Sequence, residues 1–190
     1  MRPELTDLVF ITGNANKAAY LERWLGIVVP HQKVSVDELQ SLDLHEIVEH
    51  KARGAYALVQ KPVLIEDVAL TFHALGKLPG PLIKWFLEEL TTAGLCKILT
   101  AYSDKTATAS IIYGLYDGQQ LHTFEAHVPG SVAPEPRVSD TSAWNTVTSW
   151  NSVFIPDGHT KTYGQMTDEE LKPVSHRAKA IEQLRTYLLG

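Results

Sequence analysis

Leu8-Val9-Phe10-Ile11 is an apolar run with no polar alternation, and Thr12-Gly13-Asn14 breaks it at once. A strand that is apolar on both faces must be covered on both, which is the pattern of a strand inside an α/β sheet. The rest of the chain continues the alternation. A helix is predicted from about Asn16 to Leu25, with Leu21, Trp24 and Leu25 on one face and Gly26 ending it. Lys33-Val34-Ser35-Val36 predicts a second strand. Ile47, Val48, Ala52, Ala55 and Leu58 recur at three- and four-residue spacing and predict a helix over 44–59. Pro62 opens a third strand, Val63-Leu64-Ile65, expected to end at Glu66-Asp67.

Beyond it the periodicity changes. Residues 76–81 are rich in Gly and Pro and predict a loop, followed by two short helices over 83–90 and 95–102. Two β-rich runs, 106–116 and 121–128, meet at Asp117-Gly118, a strong hairpin signal. Residues 129–152 predict irregular loop, and a helix over 175–189 carries Ala178, Ile181, Leu184 and Leu188 as an apolar stripe. The order β-α-β-α-β, then helices, then a hairpin gives an α/β fold with a mixed sheet. No repeat or linker divides the 190 residues, so 1–190 is read as a single domain.

Composition narrows the function classes. The formal charge is −5, with no basic tail or stripe, which argues against nucleic acid as partner. A polyanionic ligand would need a few placed cations instead of a general positive field. Cys96 is the only cysteine, so neither an internal disulfide nor a cysteine metal cluster is available, and its apolar surroundings predict a small core residue. No run approaches the roughly 18 apolar residues of a membrane span, and the N-terminal stretch does not read as a signal peptide. The expectation is a protein of the cytoplasm with no membrane partner.

Three places carry chemistry. At Thr12-Gly13-Asn14-Ala15-Asn16-Lys17 a strand turns into a helix. Gly at such a turn lets backbone approach a ligand, the free N–H groups of the helix start favour phosphate, and Lys17 adds a full charge. The alternative is an ordinary capped helix with a surface lysine. The spacing is neither that of a Walker P-loop nor of a Rossmann fingerprint. At Glu66-Asp67, acids at a strand end can bind a hard cation and orient a water, or simply form a solvated turn. Glu38 is a further oxygen ligand candidate, with Asp37, Asp43 and Glu46 competing. At Ser175-His176-Arg177, two basic residues open a helix against its dipole, which suggests contact with an anion or a base edge.

Five segments stand together in one order: Phe-Ile-Thr-Gly-Asn-Ala-Asn-Lys from Phe10, Val-Leu-Ile-Glu-Asp from Val63, Ala74 to Leu87, Pro156-Asp157-Gly158, and Ser-His-Arg from Ser175. In that order and spacing the chain resembles the inosine triphosphatase (ITPase) family, and the stretch from Ala74 to Leu87 is most similar to its eukaryotic branch. The resemblance implies two α/β lobes around a long mixed sheet with a central nucleotide-binding cleft, and a homodimer. It implies a pyrophosphatase that cuts ITP, dITP or XTP to the monophosphate and pyrophosphate with Mg²⁺, or alternatively Mn²⁺. Thr12, Gly13, Asn14, Lys17, Lys51 and Lys84 would hold phosphate. Glu38 and Asp67 would hold metal, with Asp67 also activating water. His176 and Arg177 would face the base.

The chain departs from the family pattern at the aromatic-Gly-aromatic-Asp-Pro loop, which here reads Thr148-Ser149-Trp150-Asn151-Ser152. Thr148 replaces the stacking aromatic and Asn151 the acid, leaving Trp150, or Trp144, as the aromatic candidate. The Lys-Asn pair before Ser-His-Arg reads Leu171-Lys172, which moves the lysine by one position. The phosphate and metal parts are intact and the base-reading part is altered. The alternatives are therefore a pyrophosphatase of the same fold with another base preference, or a non-catalytic nucleotide-binding protein.

Overall fold

The computed structural model describes residues 7–139 and 147–190. Strands β1 (Val9–Ile11), β2 (His31–Gln32), β3 (Val63–Phe72), β4 (Pro79–Gly80), β5 (Thr106–Tyr116), β6 (Leu121–Val132) and β7 (Phe154–Pro156) form one mixed sheet in the order β2-β1-β3-β5-β6-β7, with β4 paired to β3. The helices are α1 (Ala15–Leu25), α2 (Leu44–Val59), α3 (Ile83–Ile98), α4 (Asp168–Leu171) and α5 (His176–Leu189). The chain divides into two compact units. The first comprises Met1–Asp67, Ile111–Ala126 and Arg177–Gly190; the second comprises Val68–Ser110 and His127–His176.

In the first unit, β1 pairs in parallel with both β2 and β3, with Phe10 opposite His31 and Leu64. Three side-chain hydrogen bonds set the turn into α1. Thr12 Oγ1 accepts from Asn14 N at 3.0 Å, and Asn14 Oδ1 accepts from Asn16 N at 3.0 Å and Lys17 N at 3.4 Å. Asn14 is thus the N-cap, and Gly26, at φ 79°, closes the helix in the left-handed conformation that glycine adopts without a Cβ penalty. Asp43 caps α2 through His45 N at 2.8 Å. The helix lays Val48 so close to β5 that a Cβ on Gly114 would stand 2.3 Å from a Val48 methyl. Ala52 and Ala55 of α2 cluster with Val63, Ile65 and Tyr116 on one face of the sheet.

In the second unit, β3 continues to Phe72 and pairs antiparallel with β4. The helix α3 is broken at Thr91 (φ 61°, ψ 175°), so the expected pair of short helices appears as two segments meeting there. A buried aromatic group forms its core: Trp150, Phe154 and Tyr163 pack with His176, and the Tyr163 and His176 rings lie 5.8 Å apart and nearly parallel. Cys96 is buried there as expected, and burial pushes its thiol up to about 11, which keeps it un-ionised and unreactive near neutrality.

The structure corrects three expectations. The second strand is His31–Gln32, not Lys33–Val36. Its register is set by Phe10 and Ile11, and β1 has already turned away at Thr12, so Lys33–Val36 has no strand to pair with. The third strand does not end at Glu66-Asp67 but runs on to Phe72, because a sheet ladder joins backbone groups and is indifferent to side-chain charge once that charge is neutralised. The hairpin's second arm extends to Val132, and β7 and α4 lie where no regular element was expected.

Candidate active site

The site begins where β1 stops. Neighbouring β3 continues past it, so Glu66 and Asp67 stand just beyond the carboxyl end of β1, beside the turn into α1. Successive side chains of a strand point to opposite faces. Asp67 shares its face with Val63 and Ile65, the face of α2, and there it meets Lys51 Nζ in a short ion pair. Glu66 takes the other face, among Lys17 of α1, Tyr113 of β5 and Arg177 of α5. The expectation of two adjacent carboxylates sharing one cation is corrected here. They are separated by the sheet, and each is neutralised on its own side.

Glu66 is the most enclosed of these acids, its side chain 1% exposed. Its Oε1 accepts from Arg177 Nη2 at 2.8 Å and lies 3.3 Å from Lys17 Nζ; its Oε2 accepts from Tyr113 Oη at 2.8 Å. Burial pushes this carboxyl up, but the charges of Arg177 and Lys17, with the Arg177 and Tyr113 hydrogen bonds, outweigh it and hold the group well below the usual carboxylate range. Burial likewise lowers Arg177, and the Glu66 charge more than restores it, so the guanidinium stays charged. The Tyr113 hydroxyl is pushed well up by burial and by Glu66, and stays a donor. Arg177 also lies over the Tyr20 ring, 5.4 Å from its centroid.

Above this floor opens a pocket of about 220 Å³, lined by Thr12, Gly13, Lys17, Glu38, Lys51 and Glu66 with apolar walls from Val34, Val36 and Ile65. Sites that enclose a whole ligand of drug size run to roughly 300–1,000 Å³, so this pocket is sized for only part of such a ligand. Its polar rim, with two lysines, suits an anionic group. Each lysine ammonium has three donors. Lys17 and Lys51 use one each on a carboxylate and keep others for a ligand.

The structure therefore brings together Thr12, Gly13, Lys17, Glu38 and Lys51 in one pocket, with Asn14 capping the helix beside it and Asp67 held by Lys51. Arg177 reaches this site through Glu66; its Nη2 and Nε are both engaged there, where a base contact was expected. The remaining expected residues belong to the second unit. Lys84 is exposed, its Nζ 4.8 Å from the Trp85 ring centroid, and Lys172 is exposed. Trp150 is 8% exposed and packed against Phe154, Tyr163 and His176, so the stacking face expected of it is buried in the core. His176 is buried in the same group, and Asn151, next to Trp150 in sequence, is half-buried. Trp144 lies outside the described residues. Tyr113 had not been singled out, and Glu66 only as half of an acidic pair. The signal was present in Val68-Ala69-Leu70, which resumes the apolar run and marks the acids as mid-strand.

No group of three or more His, Cys, Asp or Glu that could cage a metal occurs among the described residues. The donor set is instead one exposed carboxylate, Glu38, at a pocket with Asp67 behind Lys51. That fits Mg²⁺, which takes one or two carboxylates and completes its shell with water and substrate phosphates.

A family model described as the Ham1 family matches residues 8–187. The chain belongs to the Ham1 family. An inosine triphosphate pyrophosphatase of Schizosaccharomyces pombe is 37% identical to this Ham1-family chain, over 97% of it and 96% of the relative. One of Yarrowia lipolytica is 38% identical, over 96% and 95%. Among solved structures, a HAM1 protein from Coxiella burnetii shares the fold with a TM-score of 0.77 at 23% identity, over 95% of this chain and 97% of that one. The Staphylococcus aureus Ham1 protein does so at 0.72 and 19%, over 95% and 97%. No helix of the described residues is long and apolar enough to cross a membrane.

Proposed function

We propose that this Ham1-family chain is a nucleoside-triphosphate pyrophosphatase that hydrolyses ITP, dITP or XTP to the monophosphate and pyrophosphate. The observation that carries the reading is the pocket at the end of β1, where Lys17 and Lys51 are held by Glu66 and Asp67 from opposite faces of the sheet. Family membership and the pyrophosphatase relatives give the reaction class, and the name of those relatives gives inosine triphosphate as the first substrate to test.

In this reading Gly13, without a Cβ, lets the phosphates come close to the turn into α1, and Lys17 and Lys51 offset the charge that builds on the leaving pyrophosphate. Glu38 and Asp67 are the residues that would hold Mg²⁺, or Mn²⁺ in its place. When bound, the metal supplies positive charge at the phosphate oxygens and a water of lowered pKa. Asp67 orients the attacking water and takes its proton. The Glu66–Arg177–Tyr113 group fixes Lys17 from below. A homodimer in the cytoplasm, without nucleic acid or membrane as partner, completes the reading.

One observation favours a second reading, the same chemistry with a different base preference. Trp150 is buried and Thr148 at the exposed end of its loop has no ring, so the described part of this loop offers no open aromatic face. A panel of NTPs and dNTPs with Mg²⁺, scored for pyrophosphate against orthophosphate, tests both. Pyrophosphate from ITP or XTP supports the first reading, and pyrophosphate only from other nucleotides supports the second. Orthophosphate with a diphosphate refutes the chemistry.

A further inference from the structure

The cations of the pocket are already committed. Lys17 and Arg177 face Glu66, Lys51 faces Asp67, and Glu38 lies on the rim, so three cations meet three carboxylates and the group is formally neutral. A triphosphate brings up to four negative charges. Mg²⁺ offsets two, and the neutral group leaves the remainder uncompensated.

Lys33 stands next to this deficit. The backbone bond from Thr12 N to Gln32 O, at 3.0 Å, lays the end of β2 against the turn into α1. The Lys33 stem then runs along Gly13: a Cβ built on that glycine would lie 3.1 Å from Lys33 Cδ, 3.2 Å from Cγ and 3.5 Å from Cε. Gly13 lines the pocket, and Nζ is one bond beyond Cε. The side chain uses the space that the missing Cβ leaves. Lys33 is exposed and makes no ion pair or hydrogen bond to any described residue, unlike Lys17 and Lys51. A stem fixed on a glycine with an uncommitted ammonium beyond it has already lost part of its rotamer freedom, so engaging an anion costs less.

We infer that Lys33 is a further phosphate-binding residue of this pocket, adding to the charges of Lys17 and Lys51 one that no carboxylate of the described residues offsets. The inference rests on the phosphate-site reading above, and the test separates the two. Isothermal titration with inorganic tripolyphosphate, without metal, reads the anion site independently of base and turnover. Lys33→Gln removes the charge and keeps most of the stem, Lys33→Ala removes both, and Lys33→Arg restores the charge. Lys61→Ala makes the same change in net charge at an exposed residue just before β3, outside the pocket lining. Lys33→Gln and Lys33→Ala should each weaken binding on the order of three- to tenfold, the range for a partly screened charged contact. Lys33→Arg should stay near wild type and Lys61→Ala within twofold. Loss in Lys17→Ala but not in Lys33→Gln overturns the Lys33 role and leaves the phosphate site standing. An equal loss in Lys61→Ala overturns it as a general field effect. No loss in either Lys17→Ala or Lys33→Gln overturns both the Lys33 role and the phosphate site beneath it.

Discussion

Replacing Glu66 with Gln tests the electrostatic core of the site. The change keeps the volume and one acceptor for Tyr113, and removes the charge that faces Arg177 and Lys17. The Arg177 side chain is 12% exposed, so its guanidinium is left with little water to replace the lost partner. Breaking a buried pair from one side costs about 3–5 kcal/mol. The lower end applies here, because Lys17, 30% exposed, can turn to solvent, and the Tyr20 ring still lies under the guanidinium. About 3 kcal/mol corresponds to a fall in Tm of about 6–12 °C for a chain of this size. The pH dependence has a definite sign. Glu66 titrates below its unfolded value, so its contribution is complete above about pH 4.3 and is lost as the pH falls further. Thermal melts of both proteins from pH 8 down to pH 3 should show a gap that is constant above about pH 5 and narrows below it. A gap under about 1 °C at pH 8, or one that does not narrow in acid, would refute the claim that Glu66 is a neutralised buried anion.

Tyr113→Phe should lower stability by about 1.5–3 kcal/mol, the value of a hydrogen bond to a charged group, as urea titration would show; no change in midpoint would mean the hydroxyl is not bonded to Glu66. Asp67→Asn should lose about 10²–10⁴-fold in kcat while nucleotide still binds, and near-normal turnover would remove Asp67 from the catalytic role. Lys17→Ala should raise KM with a loss that shrinks as salt is added, since the contact is a partly exposed point charge; a salt-independent loss would point to misfolding instead. Thr148→Phe combined with Asn151→Asp should raise the ITP-to-ATP ratio of kcat/KM, a stacked base being worth about 1–3 kcal/mol; a flat ratio would show that this loop does not read the base.

The parts of the fold legible in the sequence are those whose signal is local. The caps Asn14, Gly26 and Asp43 and the periodicity of α2 mark both helices to within a residue or two. The Asp117-Gly118 turn marks the hairpin, with Asp117 Oδ1 accepting from Gln119 N and Gln120 N at 2.8 Å. What was not legible depends on partners distant in the chain. The register of β2 is set by Phe10 and Ile11, about twenty residues earlier. That β3 survives two consecutive acids depends on Arg177, 111 residues from Glu66, and no window around Val63 contains it. The same distance explains the reassignment of Arg177. Its position at a helix start pointed to an anion, and the anion is one of the protein's own carboxylates. Trp150, a stacking candidate only by comparison with the family's loop, has its ring taken up by Phe154, Tyr163 and His176.

The alternation of a strand gives this site its chemical logic. Because Glu66 and Asp67 are adjacent, they cannot lie on one face, and each orders a different lysine from its own side. Lysines left free at the end of a strand would repel one another and spread into solvent, and a ligand would have to order them. Here the carboxylates hold them at the pocket beforehand, so less conformational entropy is lost on binding. Neutralisation by the carboxylates weakens the field but leaves each ammonium with donors to spare. In the proposed function, a chain with a formal net charge of −5 thus binds a polyanion without a basic surface. It follows that the attraction is short-ranged and local. Association should depend weakly on ionic strength in its on-rate and strongly on the geometry of Glu66 and Asp67 in its off-rate. Stopped-flow binding at 50 and 300 mM salt separates the two. An on-rate that collapses with salt would mean a long-range field guides the nucleotide after all, and that the internal pairing of the lysines is not what organises the pocket.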